Sequence, residues 1–242
     1  MPDSSRANEY YSDVIDAGGL HIAIANALTS IGSSLVATSL PDKMRFIAYG
    51  RVARGVRFSQ TYMAAEERLF LFDFWRDGVH LANGRTPDLT EVATLIDLWV
   101  GKECDLSELR KQPCVSVDDN ADAYDQGTEV EDRWTSYVNN IHESFPELQP
   151  FVKLAAQRPQ LRQLFPYTSL NRFCFSRCTG YPFTQDTPFV HPQLDGTYNV
   201  VSATGKTIGN GDAEYAVETV IAYLPPGCGP AVGGTAETIE AT

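Results

Sequence analysis

The alternation of apolar and polar positions divides the chain into a strand-rich stretch, a helix-rich stretch and a mixed one. Residues 56–62, Val-Arg-Phe-Ser-Gln-Thr-Tyr, alternate as a half-buried strand does. Residues 69–75, Leu-Phe-Leu-Phe-Asp-Phe-Trp, are almost wholly apolar, as in a central strand. Arg76, Asp77 and Gly78 have turn chemistry, and Val79, His80, Leu81 and Ala82 return as a further strand. With Phe46, Ile47, Ala48 and Tyr49 ahead of Gly50, four strands joined by short turns predict an antiparallel meander. Upstream, Leu20, Ile22, Ile24, Leu28 and Ile31 in an Ala-rich run predict a helix over 21–31. Downstream, Leu89, Val92, Ala93, Ile96, Trp99 and Val100 follow the spacing of an amphipathic helix. Thr86 is placed to cap it, Pro87 fits its first position, Asp88 and Glu91 suit its first turn, and Gly101 stops it.

From Trp134 the helical period resumes. Trp134, Tyr137, Val138, Ile141 and Phe145 share one face, and Pro146 ends that helix. A short helix over 148–157 follows, then Pro159 and a brief turn to Leu164. Phe173 and Phe175 alternate as a strand. Tyr198 to Val201 reads as another, turning at Ala203-Thr204-Gly205. Gly209-Asn210-Gly211 reads as a turn before a last helix, capped by Asp212, with Ala213, Ala216, Val217, Val220, Ile221 and Leu224 on its face and Pro225-Pro226 at its end.

These elements predict an α+β fold, mainly antiparallel sheet, with an N-terminal meander, a C-terminal βα portion and helices packed on one side. The predicted organisation is an N-terminal helical segment (1–34), a meander plus helix (35–101), an acidic helical connector (102–165), C-terminal strands plus a helix (166–224), and a mobile Gly- and Thr-rich tail (225–242). Residues 35–224 are expected to form one compact unit.

Charge narrows the functional classes. The 242 residues carry 19 Lys and Arg against 31 Asp and Glu, a net charge of −12. This argues against nucleic acid, whose phosphates need a basic face, and against a polybasic membrane anchor. No apolar run approaches the roughly 18 residues of a spanning helix. The first 16 residues have one Arg, several acids and no apolar core, unlike a signal peptide, which predicts a cytoplasmic protein. Five cysteines in a reducing compartment predict free thiols.

The charge is also unevenly spread. Seven acids and no base lie between Asp118 and Asp132. Such runs are usually solvated. Asp118, Asn120 and Asp122 have the alternate spacing of a calcium loop, but Ala123 stands where that loop requires glycine. From 148 to 185 there is no acid at all, while Lys153, Arg158, Arg162, Arg172 and Arg177 are present.

The segments LFLFDFWRDGVHLANGRTPDLTEV (69–92), NRFCFSRCTGYPF (171–183) and LPPGCGPAVGGTA (224–236) resemble an actinobacterial family labelled as natural-product biosynthesis proteins with a domain of unknown function. The resemblance extends over most of the chain from about residue 45 onward. It implies a genomic setting near secondary-metabolite genes and carries no reaction, catalytic residue or cofactor with it.

The acid-free window supplies the first candidates. A guanidinium from Arg172 or Arg177 would grip a carboxylate or phosphate, and Thr179 and Tyr181 would add hydroxyls. Five residues apart, the two arginines of a regular strand point to opposite faces, and the commoner role for them is pairing with the acidic run. Cys174 and Cys178 lack two further ligands for zinc, so no metal is assigned. Cys178 would be a nucleophile if Arg177 lowered its pKa and His191 served as base. Asp186 and His191 flank a proline loop and would suit proton transfer, although a structural role is commoner. Phe70, Phe72, Phe74 and Trp75 read first as sheet core and second as a pocket wall. Asp73, set among them, needs a partner if buried, and Arg76 or Arg177 is the expected one.

The catalytic candidates are thus Asp73, Cys178, Asp186 and His191. The binding candidates are Trp75, Arg76, Arg172, Arg177, Thr179 and Tyr181, with no cofactor. The favoured expectation is a cytoplasmic protein of secondary metabolism that binds an anionic, partly aromatic intermediate, with cofactor-independent cyclisation or isomerisation as the reaction class if it is an enzyme. The alternative is an immunity- or scaffold-like module that binds a protein through 118–132.

Overall fold

The computed structural model describes residues 9–39 and 49–240. Phe46, Ile47 and Ala48 of the first predicted strand therefore lie outside the described residues. The chain forms two compact units, Met1–Asp122 and Ala123–Thr242, so the division falls inside the segment expected to be a connector. Both units combine helices with an antiparallel sheet, as the α+β pattern predicted.

In the first unit, α1 (Ser12–Ala17) and α2 (Leu20–Ser30) precede the sheet. Its strands are β1 (Ala37–Thr38), β2 (Tyr49–Arg54), β3 (Arg57–Met63), β4 (Phe70–Arg76), β5 (Val79–Thr86) and β6 (Val115–Val117), in simple meander order. Between β5 and β6 come α3 (Leu89–Ile96), which runs on into a π-turn (Asp97–Gly101), and the short α4 (Leu106–Arg110). The period of two decides which side is buried. Phe70, Phe72 and Phe74 are 0–2% exposed and face the helices, where Phe74 meets Trp99. Leu71, Asp73 and Trp75 point the other way.

Two local readings change. The strand expected ahead of Gly50 runs on through it, since Gly50 lies inside β2, where the backbone passes close to α2. A Cβ on Gly50 would sit 2.7 Å from Ile24 Cδ1. The cap of α3 is Asp88, whose carboxylate accepts from Thr90 N at 2.8 Å. Thr86 instead ends β5 and donates its hydroxyl to Glu91.

The helix α5 (Ala121–Gln126) crosses the division. The second unit holds α6 (Glu129–Ser144), α7 (Gln149–Ala155), α8 (Pro159–Arg162), then β7 (Phe165–Ser169), β8 (Arg172–Ser176), β9 (Phe189–Pro192), β10 (Tyr198–Val201) and β11 (Thr207–Gly211), and finally α9 (Ala213–Ala222) and α10 (Ala236–Glu240). The five strands lie in the order β11-β10-β9-β8-β7. The helices α6, α7 and α9 bury Trp134, Phe151 and Val217 with Phe173, Phe175, Val190 and Val200 from the sheet. Trp134 also donates its indole N–H to Leu164 O at 2.9 Å, so its buried donor is satisfied.

The edge strand β7 is guarded on its open side. Pro166 has no N–H to offer, and Thr168 N donates to the Tyr137 hydroxyl of α6 at 3.0 Å. Gly209-Asn210-Gly211, read as a turn, belongs to β11. Glycine is needed because the Tyr215 ring lies on it, and a Cβ on Gly211 would meet Tyr215 Cδ1 at 2.6 Å.

The segment beyond Leu224, for which composition predicts mobility, is hydrogen-bonded along its later part. Ala231 N donates to Gln163 O, Val232 N to Arg177 O, and Ala236 N to Pro182 O. In return Thr179 N and Gly180 N donate to Val232 O and Gly234 O. The backbone partners, invisible in side-chain composition, fix it.

Candidate functional site

In the second unit the face of the sheet away from the helices follows from register. Tyr167 lies opposite Cys174, and Ser169 opposite Arg172. Phe173 and Phe175 point into the core, so Arg172, Cys174 and Ser176 must point out on the other side. The loop 177–188 folds back over part of this face. Thr184 Oγ1 accepts from Arg177 N at 2.9 Å, Ser176 Oγ accepts from Thr184 N at 3.2 Å, and Thr187 Oγ1 donates to Phe175 O at 2.7 Å. The uncovered remainder is a cavity of about 280 Å³, lined among others by Tyr167, Ser169, Arg172, Cys174, Tyr181, Phe183 and Phe189.

Its walls are aromatic. Tyr167 and Phe183 stack with centroids 4.5 Å apart, and Tyr181 meets Phe183 edge-on. Among the described residues its one lining charge is Arg172. That guanidinium lies 5.1 Å from the Phe189 centroid and makes only long hydrogen bonds, 3.4 and 3.5 Å, to Ser169. Among the described residues no carboxylate forms an ion pair with it. The neutral groups are donors. Tyr167 and Cys174 are hydrogen-bonded to each other, and burial pushes the Cys174 thiol up to about 11 and the Tyr167 phenol well above its ordinary value. Both keep their protons at neutral pH.

The structure separates the predicted residues. Arg177 does not face the cavity. Its Nε donates to Asp186 Oδ2 at 2.8 Å and its Nη2 lies 2.6 Å from the same oxygen. Asp186 is thereby a structural partner. The acid-run pairing expected for Arg172 and Arg177 falls to others, as Arg162 bonds Glu131 and Arg110 bonds Asp122. Cys178 is fully buried, its thiol directed at the carbonyls of Gly180 and Pro182 and the Ser176 hydroxyl, so no ligand reaches it as a nucleophile. Thr179 is buried as well, and its N–H serves Val232. Tyr181 stands at the pocket mouth, 67% exposed. His191 shares its strand face with Phe189, the rings 5.9 Å apart. Burial and the charge of Arg172 hold its pKa below the ordinary value.

Asp73, Trp75 and Arg76 belong to the first unit. Asp73 takes its hydrogen bonds from Gln60, whose backbone N–H is 2.9 Å from Oδ1, and not from the guanidinium expected for it. Burial raises its pKa. Trp75 stacks on Phe58 at 5.4 Å, on the sheet face away from the helices, while Phe70, Phe72 and Phe74 are the core. Arg76 ends β4 opposite Arg57. Asp118 of the acidic run meets His80 Nδ1 at 2.6 Å, and no cluster of potential metal ligands occurs among the described residues.

Tyr167, Phe183, Phe189 and Cys174 complete the site. Tyr167 escapes the sequence reading because β7 is not legible in Phe-Pro-Tyr-Thr-Ser alone, while Phe183 and Phe189 reach the cavity from the loop 177–188 and from β9. The sharp turn at Leu170 and Asn171, where Leu170 takes a φ of 57°, was the available signal.

The fold and cavity define an α+β unit with a cationic, aromatic-walled pocket on the open face of its sheet. Residues 128–235, all within this unit, match a family model described as a family of unknown function (DUF6193). That span includes NRFCFSRCTGYPF but not the 69–92 segment. No curated protein and no solved structure matches the chain. Among the described residues no helix is long and apolar enough to cross a membrane.

Proposed function

We propose that this protein binds a small anionic, partly aromatic molecule in the cavity of its second unit, with Arg172 as the anchor. The observation that carries this reading is an arginine, without an ion-pair partner among the described residues, lining a cavity of about 280 Å³ whose other walls are aromatic or neutral. A half-buried cation facing only neutral groups favours an anion beside it. Such ligands suit the secondary-metabolite setting implied by the resemblance, and a cytoplasmic protein of such a pathway is the role we assign.

Should the protein act on its ligand without a cofactor, by isomerisation or cyclisation, the proton-transfer group is His191. Of the three candidates in this unit it is the one that feels the Arg172 charge and whose ring meets Phe189, although it does not itself line the cavity. Asp186 is held by Arg177 and Cys178 is sealed. The alternative, a protein-binding module using 118–132, draws less support, since Asp118, Asp122 and Glu131 are each already paired within the chain.

The test is a thermal-shift screen of anionic and neutral aromatic compounds against the full chain and Arg172→Ala. Anion-dependent stabilisation that disappears in the variant is expected. Equal stabilisation of both proteins would refute the anchor.

A further inference from the structure

We propose that the pocket selects flat aromatic monocarboxylates over phosphorylated and aliphatic anions. The inference rests on the Arg172 reading and refines it. One guanidinium supplies one positive charge, and among the described residues no second cation lines the cavity. A monoanion is neutralised there, whereas a phosphomonoester, carrying roughly −1.5 to −2 at neutral pH, leaves charge uncompensated among aromatic walls. His191 is the nearest candidate for a second charge, but burial and Arg172 disfavour its protonation.

Geometry points the same way. Phe189 occupies one face of the guanidinium, so the donors left to a ligand lie in its plane and edge. Two in-plane N–H groups match the two oxygens of a carboxylate. The long 3.4 and 3.5 Å contacts to Ser169 are weak enough for a ligand oxygen to replace. Beyond the anchor, the stacked Tyr167 and Phe183 rings present a wall to a planar body. A cavity of about 280 Å³ sits near the lower limit of ordinary ligand sites, which start at about 300 Å³, and so suits one or two fused rings. Tyr167 and Cys174 share one hydrogen bond, which leaves one proton of the pair to donate to a ring substituent.

The experiment is calorimetric titration of the full chain at pH 7.5 with four probes: indole-3-carboxylate, indole-3-carboxamide, phenyl phosphate and acetate. The inference expects indole-3-carboxylate to bind at least about tenfold more tightly than each of the others. It expects that preference to vanish in Arg172→Gln and to be weakened in Arg172→Lys, which keeps the charge but loses the fork. Circular dichroism and melting curves check that both variants fold, and Phe189→Leu, which loosens the guanidinium from its ring, gives an independent loss of affinity. Phenyl phosphate binding as tightly as the indole acid, with loss in Arg172→Gln, overturns carboxylate selection and leaves the anion pocket standing. Acetate binding equally well overturns the aromatic requirement. No heat with any anion up to 10-millimolar order overturns both this inference and the reading beneath it.

Discussion

Arg177 and Asp186 close the base of the pocket loop on each other, the guanidinium Nε 2.8 Å from the carboxylate Oδ2. Arg172, five residues earlier in an equally acid-free context, has a phenyl ring and a hydroxyl for company. The loop 177–188 turns Asp186, the first acid after the window, back onto Arg177. The fold thus holds Arg177 in an ion pair and leaves Arg172 as the anchor we propose for a ligand.

Replacing Arg177 with Ala is expected to lower stability without emptying the site. The pair is about one third exposed, so solvent screens it, and the loss should be about 1 kcal/mol. Urea denaturation measures this. Ligand affinity should stay within about threefold of the parent, against a loss of at least about tenfold for Arg172→Ala. Equal losses of affinity would place Arg177 in the site.

The β8–loop–β9 register explains why only part of this was legible. The alternation of Phe173 and Phe175 identified a strand with a buried side, and opposite faces for Arg172 and Arg177 followed from a period of two. The meander of the first unit and the helix over 213–222 were likewise visible, because their apolar spacing is local. Three features were not. The strand carrying Tyr167 contains Pro166 and ends in a tight turn, and its alternation is too short to read. The Arg177–Asp186 pair depends on a loop path that no period encodes. The fixing of 231–236 uses backbone groups, which every residue shares.

That segment yields a second prediction. Deleting 231–242 removes the backbone partners of Thr179 and Gly180 and the donors to the Arg177 and Pro182 carbonyls. The loop carrying Tyr181 and Phe183 should then open. Limited trypsin digestion should cut after Arg177 in the truncated chain at least about tenfold faster, as expected when local protection is lost. An unchanged cleavage rate would show that β8 and the hydroxyl contacts alone hold the loop.

Asp73 gives a pH signature in the first unit. Burial raises its folded pKa above the ordinary carboxylate value, so the folded state binds its proton more tightly than the unfolded chain does. Its contribution is therefore favourable at acid pH and is lost as pH rises from the ordinary carboxylate value through the raised folded one. Asp73→Asn keeps an acceptor for Gln60 N and removes the titration. The variant should be as stable as the parent or more so at pH 7, with a flatter stability profile below it. A steeper profile in the variant would reverse the sign argued here.

Gly50→Ala tests the close approach of α2 to β2. The added methyl would meet Ile24 Cδ1 at 2.7 Å, so Ile24 must shift. Overpacking of this kind costs about 1–3 kcal/mol. The double variant with Ile24→Val should recover part of that loss in the same denaturation assay, and a fully additive loss would mean that the two positions do not touch.

The most direct test of the pocket is a crystal structure of the protein with indole-3-carboxylate. The account predicts both carboxylate oxygens at about 2.7–2.9 Å from Arg172 nitrogens, with the ring lying against Tyr167 and Phe183. A ligand bound elsewhere, or Arg172 turned to a carboxylate of its own chain over a closed cavity, would contradict it.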